Sequence, residues 1–132
     1  MSVAFNGDFS TFCPELLGNG SARHPSFIFG NVQDTLIEDI VNTEKFQKIF
    51  EEISAGVALC RETCPYFEAC GGGNPSNKLA ENGTFISTET IHCRNKIMRT
   101  CDFVLTKVEE RLSAVAMTSA GVDFQARRPA RP

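Results

Sequence analysis

A chain of 132 residues with 42% hydrophobic and 22% charged residues is typical of one globular domain with its own core. The formal net charge of −3 argues against a general nucleic-acid-binding protein, which normally has a basic face. No apolar run approaches the roughly 20 residues that cross a bilayer, and the N-terminus does not resemble a signal peptide. The sequence therefore predicts a cytoplasmic protein, in which clustered cysteines are metal ligands more often than disulfides.

The N-terminal part of the chain predicts small antiparallel strands. Residues 3–12 are typical of a hairpin, because Asn6 and Gly7 accept the positive φ angles of a tight turn. Residues 26–32 form a short apolar run, interrupted by a Gly-Asn pair, which predicts one more strand.

The middle of the chain predicts two helices. One or two helical turns are expected after residue 35, and Asn42 or Thr43 is placed to cap the second helix. Apolar residues at i, i+3, i+4 and i+7 from Phe46 give that helix a single apolar face. Gly56 is placed to end it.

The segment 57–93 carries four cysteines, is rich in Gly, Asn and Pro, and has no helical or strand periodicity. We expect a bound metal centre to impose its structure. Asn82 and Gly83 predict a hairpin turn within it. The polar residues between positions 74 and 92, Lys78 among them, are typical of a solvated loop, with peptide binding as the alternative.

The last part of the chain predicts the strongest helix. An apolar stripe runs from Ile97 to Val115 over about five turns. We expect the domain to end at residue 117 and the basic tail 118–132 to be disordered. The predicted fold class is α+β, with small antiparallel hairpins and two main helices around a cysteine-rich cluster-binding loop.

The cysteine spacing predicts one metal centre. Three candidate ligands lie within eleven residues and the fourth follows after a gap of 22 residues. These candidates are Cys60, Cys64, Cys70 and Cys93. Cysteine thiolates are the usual ligands of [4Fe–4S] clusters, and three glycines after the third cysteine let the backbone approach the sulfurs. Structural zinc is the alternative, although its sites usually pair two short Cys-x2-4-Cys knuckles, and unligated structural cysteines stay open as well.

Four further residues are weaker candidates. His24 and His92 could each supply a nitrogen ligand, but an isolated histidine in a loop is more often a surface residue. Cys101 lies on the apolar stripe, where a free cysteine packs as a small hydrophobic residue. Cys13, which follows the first hairpin, is either a further metal-site thiol or a packed side chain.

The residues 60–75, Cys-Arg-Glu-Thr-Cys-Pro-Tyr-Phe-Glu-Ala-Cys-Gly-Gly-Gly-Asn-Pro, resemble the SPASM domain of radical SAM (S-adenosylmethionine) enzymes. Upstream, residues 6–13 (Asn-Gly-Asp-Phe-Ser-Thr-Phe-Cys) and 29–32 (Phe-Gly-Asn-Val) are similar to that family's earlier elements. The resemblance covers most of the chain from residue 3 to about 112. It is strongest to the branch that cross-links precursor peptides with Gly-rich repeats.

The resemblance implies one complete [4Fe–4S] cluster on the four candidate cysteines, with three residues in the first gap where the common pattern has two. The family's second auxiliary cluster is not expected, because Asn74 stands where it needs a cysteine and only Cys13 remains upstream. The SAM-cleaving motif Cys-x3-Cys-x2-Cys is also missing, since Phe67 replaces its third cysteine. The chain is therefore not expected to be active alone.

The function that the resemblance implies is auxiliary. The chain would belong to, or act beside, a radical SAM enzyme that modifies ribosomally made peptides, relaying electrons and docking substrate. The expected partners are a radical SAM catalytic domain or subunit and a precursor peptide, without nucleic acid or membrane. A structural zinc module that mediates protein contacts is the alternative.

Overall fold

The computed structural model describes the backbone of residues 1–125 and the side chains of residues 1–116. Three strands form an antiparallel sheet in the order β1 (Ser2–Val3), β2 (Asp8–Ser10), β3 (Gly30–Asn31). The α-helices are α1 (Ile37–Ile40), α2 (Glu44–Thr63), α3 (Phe67–Cys70), α4 (Pro75–Asn82) and α5 (Arg99–Gln125). A 3-10 turn spans Pro14–Leu16, and a π-helical turn, Cys93–Met98, leads directly into α5. This architecture confirms the predicted α+β fold class.

The sheet confirms both strand predictions. Strands β1 and β2 pair with Val3 opposite Phe9, and β3 joins the other edge of β2 with Gly30 opposite Phe9. The Asn31 side chain ties β3 to the hairpin, because its amide donates to Asn6 O and to Asp8 Oδ1, each at 3.0 Å. A short sheet is thus held by side-chain amide bonds as well as by its ladder.

Helix α2 begins as predicted but does not end at Gly56. The Thr43 hydroxyl caps its start by accepting a hydrogen bond from Phe46 N at 3.3 Å, and the helix continues to Thr63. Gly56 lies buried inside it, where an added Cβ would stand 2.0 Å from Phe85 O. The glycine therefore permits a close backbone approach, and α2 extends far enough to carry Cys60.

The prediction of an irregular segment over residues 57–93 is wrong in part, because α3 and α4 lie within it. Asn74 caps α4 by accepting from Ser76 N at 2.9 Å, and Pro75 occupies the first helical turn. Gly83, with a φ of 73°, ends α4 by donating to Leu79 O at 3.0 Å. The predicted hairpin turn at Asn82 and Gly83 is therefore wrong.

The hydrophobic core lies between α2 and the segments that cover it. Its buried members are Cys13, Leu16, Phe27, Ile49 and Phe85, with Phe12, Phe29, Ile53 and Leu79 packed against them. Phe27 and Phe85 meet edge to face with ring centroids 5.7 Å apart. Aromatic packing from distant parts of the sequence thus fixes α2 against the chain that follows α4.

The predicted C-terminal helix is present, and most of its apolar stripe lies at the surface. Phe103, Val104, Leu105, Val108 and Leu112 are between 46% and 64% exposed. The helix continues to Gln125, beyond the predicted domain end at residue 117, and residues 126–132 of the predicted tail lie outside the described residues. Within the described backbone, every helix is too short or too polar to cross a membrane.

Candidate metal centre

The four predicted ligands line one cavity, although only three of them are close together in the sequence. Cys60, Cys64, Cys70 and Cys93 share its wall with Tyr66, Gly72, Gly73, Thr88, Glu89, Ile97 and Met98. Across residues 1–116, no set of three or more His, Cys, Asp or Glu side chains is grouped to hold a single metal ion. The thiols therefore surround a space and do not converge on one point.

The ends of three helical elements place these cysteines. Cys60 lies in the last turn of α2, and Cys64 follows the helix with its N–H donating to Cys60 O at 2.9 Å. Cys70 is the last residue of α3, and Cys93 is the first residue of the π-helical turn. Such π turns are frequent at functional sites. Each thiol thus takes its position from a regular element.

The glycine run after Cys70 shapes the cavity floor as the sequence predicts. Gly71, Gly72 and Gly73 all have positive φ, at 68°, 109° and 76°. An added Cβ at Gly72 would stand 3.0 Å from a Val57 methyl group, and one at Gly73 would stand 3.6 Å from Cys93 Sγ. Three successive positive φ angles favour glycine, and they bring Gly72 O within 3.6 Å of the Cys60 thiol, which donates to it.

A threonine hydroxyl fixes Cys93. Thr90 is 2% exposed, and its hydroxyl donates to Cys93 Sγ at 3.2 Å while accepting from Cys93 N at 3.1 Å. Glu81 on α4 accepts from the backbone N–H of Ile91 and of His92, the latter at 3.3 Å. These bonds hold the start of the C-terminal helix against α4 and aim Cys93 into the cavity.

Lys78 is a site residue that the sequence reading missed. It is 3% exposed, and its Nζ donates to Gly56 O at 2.8 Å and to Cys60 Sγ at 3.2 Å. The prediction of a solvated loop is therefore wrong for this residue, because α4 turns it inward against α2. Lys78 therefore brings a hydrogen-bond donor to a predicted ligand sulfur from outside the cysteine motif.

Tyr66 connects the cavity wall to α5. Its hydroxyl donates to Asp102 Oδ1 at 2.7 Å, and this bond to a carboxylate raises the pKa of Tyr66 because a phenolate there would face a like charge. Cys101, one residue before Asp102, does not line the cavity and lies beside Ala69 and Val104. Its predicted role as a packed side chain fits this position.

The other weak candidates also lie outside the cavity wall. His24 is buried, with Nε2 2.9 Å from Glu52 Oε2, and His92 is exposed. Cys13 packs in the core, where burial raises its pKa, partly offset by hydrogen bonding to Ser76. Asn74, at the position where the family's second cluster needs a cysteine, caps α4. Cys13 and Asn74 therefore both have folding roles.

The class of protein follows from a comparison with known families. Residues 1–65 match the family model for SPASM, described as an iron-sulfur cluster-binding domain. This match confirms the resemblance to the SPASM family that the sequence shows, over the N-terminal 65 residues of the chain. It covers the sheet, α1 and α2, and it includes Cys60.

A relative of greater length extends the comparison. The chain is 47% identical over 112 residues to an uncharacterized protein of Synechocystis sp.. The alignment covers 85% of this chain but 28% of that protein, so the chain spans under a third of the relative's length. No solved structure matches the chain.

Proposed function

We propose that the chain binds one [4Fe–4S] cluster and serves as the auxiliary domain of a radical SAM enzyme that modifies ribosomally made peptides. The proposed ligands are Cys60, Cys64, Cys70 and Cys93. The observation that carries the proposal is their meeting around one cavity in a chain that matches an iron–sulfur family.

The wall of the cavity suits a cluster of several metal ions. A single zinc ion draws four thiolates to about 2.3 Å from one point. Four thiols on the wall of one cavity, with no three of them grouped around a single point in residues 1–116, suit a cluster of iron and sulfide better than one zinc ion. The Thr90 hydroxyl and the Lys78 ammonium donate hydrogen bonds to sulfur, which iron–sulfur sites use.

The protein's own residues would govern access and orientation at this site. A bound cluster supplies one-electron redox chemistry. Ile97 and Met98 give the cavity an apolar wall that limits water, and solvent exposure is one of the factors that set cluster potentials. Thr90 holds Cys93 in one orientation, so the fourth ligand is positioned before a cluster binds.

Two surfaces support the proposed partners. The exposed apolar stripe of α5, from Phe103 to Leu112, suits the surface of a catalytic domain or subunit, and the relative's much greater length is consistent with such a region. An open groove of about 580 Å3 between the 3-10 turn and α4 is a candidate site for the precursor peptide. Glu15, Asn19 and Asn77 line it with polar groups for the peptide backbone.

Reconstitution with iron and sulfide in the absence of oxygen tests the proposal. Wild-type protein should become brown and hold about four irons per chain. Cys93→Ser should abolish iron binding, whereas the matched control Cys101→Ser should keep it, because Cys101 lies outside the cavity. Equal iron loss in both variants would refute the ligand assignment. A colourless protein with about one zinc per chain would support the zinc module instead.

A further inference from the structure

Lys78 has an unusual environment for a lysine. It is 3% exposed, and its two hydrogen-bond acceptors are a backbone carbonyl and the Cys60 sulfur. In the part of the chain whose side chains are described, no ion pair includes Lys78. Lysines are almost never fully buried unless they are paired, because the charge loses its hydration. Cys60 is therefore the group here that can become its anionic partner.

The surrounding fold holds the ammonium group in place. Lys78 lies in the middle of α4, which Asn74 caps at one end and Gly83 ends at the other. Gly56 leaves space for it, since an added Cβ there would stand 3.3 Å from Nζ. The position of the Lys78 ammonium group is thus fixed by helix α4 and by the space beside Gly56.

We propose that Lys78 sets the reduction potential of the bound cluster by keeping one positive charge against the ligand Cys60. This inference rests on the proposed cluster and adds a role for a residue that is not itself a ligand. Reduction adds one electron, and therefore one negative charge, to the site, and no bond or proton needs to change. A neighbouring cation in a buried site favours that added negative charge and raises the potential.

The test is a mediated redox titration of iron-loaded protein, with wild type compared with Lys78→Met and Lys78→Arg. The Lys78→Met side chain has a similar length without the charge, and the Lys78→Arg variant keeps the charge. We expect Lys78→Met to lower the equilibrium constant for reduction at least tenfold, which is a fall of about 59 mV in midpoint potential. The midpoint potential of Lys78→Arg should lie closer to that of wild type than to that of Lys78→Met.

Lys48→Met is the matched control. It removes the same formal charge from an exposed position on α2, twelve residues before Cys60 and about 18 Å away along the helix. Solvent and salt screen a charge at that distance, so the potential should stay close to that of wild type. A shift of equal size in Lys48→Met would mean that net charge, and not the position of Lys78, controls the potential, which would overturn the proposal.

The remaining outcomes also decide the question. An iron-loaded Lys78→Met protein with the wild-type potential would overturn the role of Lys78 while leaving the cluster intact. If Lys78→Met takes up no iron, iron retention in Lys78→Arg supports the role of a positive charge at position 78. Equal loss of iron in both variants overturns that role. Wild-type protein that binds no iron would refute the proposed function itself, and this inference with it.

Discussion

Cys13 shows how burial changes the chemistry of a thiol. It is 8% exposed and belongs to the same buried cluster as Leu16 and Phe27. Desolvation raises the pKa of Cys13 above its ordinary value of 9.0. Because the thiolate is the form that binds metals and attacks electrophiles, this environment favours packing over ligation.

The raised pKa of Cys13 predicts a specific pH dependence of stability. The folded state favours the neutral thiol, so its contribution is complete below pH 9.0 and is lost as the pH rises through the higher folded-state pKa. Between pH 9 and 11, the free energy of unfolding of wild type should fall more steeply than that of Cys13→Ala. The difference should reach up to about 1.4 kcal/mol per pH unit. Urea titrations followed by far-UV circular dichroism measure both slopes, and parallel slopes would contradict the assignment.

Helix α4 shows which local signals the sequence carries. Asn74 followed by Pro75 is a helix-start pattern, and Gly83 is a helix-stop residue, so the bounds of this helix were readable from sequence. Its eight residues give too little periodicity to stand out, and the segment was predicted as a loop. The burial of Lys78 could not be predicted from a loop assignment, because it is the helical conformation of α4 that turns this side chain toward α2. The first hairpin was predicted correctly, but its turn differs from the prediction, because Gly7 has a positive φ of 90° and Asn6 does not have a positive φ.

Gly56 on α2 shows what the sequence could not reveal. A glycine after an apolar helical face is a common stop signal, but here Phe85 O approaches the helix from 29 residues further along the chain. The reason for the glycine is a tertiary contact. Sequence spacing therefore predicted the start of α2 and misjudged its length, which also decides where Cys60 lies.

Gly56→Ala should destabilise the protein even though alanine is the better helix former. Alanine gains about 1 kcal/mol in propensity, but its Cβ would stand 2.0 Å from Phe85 O. We expect a net loss of about 1–3 kcal/mol in the free energy of unfolding, as for other overpacked buried sites. Ser54→Ala, an exposed change on the same helix, should stay within about 0.5 kcal/mol. Urea denaturation of both variants provides the comparison, and a stabilised Gly56→Ala would disprove the contact.

At the scale of the whole molecule, the core and the cysteine cavity occupy different ends of α2. Ile49 packs in the aromatic core, and Cys60 lies three turns further along the same helix at the cavity wall. The cysteine spacing was enough to select all four candidate ligands, including Cys93 after a gap of 22 residues, and these four line one cavity. The sequence could not predict the hydroxyl of Thr90 or the ammonium of Lys78 beside them, because both depend on how α4 and the C-terminal helix pack.

This separation predicts that iron will order one part of the fold and leave the other unchanged. Bonds from iron to the proposed ligands Cys64, Cys70 and Cys93 should stabilise residues 64–73 and 90–98 locally, because metal-binding free energy acts on the segments that supply the ligands. Iron loading should slow amide hydrogen exchange there at least tenfold, or about 1.4 kcal/mol.

Strand β2 and the first turns of α2 provide the internal comparison, because the sheet and the aromatic core hold them without the cavity. Their exchange rates should change less than threefold on iron loading. Cys93→Ser protein treated with iron in the same way should show no slowing in either cavity segment. Slowing spread evenly over β2 and α2 would mean that the core itself depends on the metal, and the division of the molecule into an aromatic half and a cluster-holding half would be wrong.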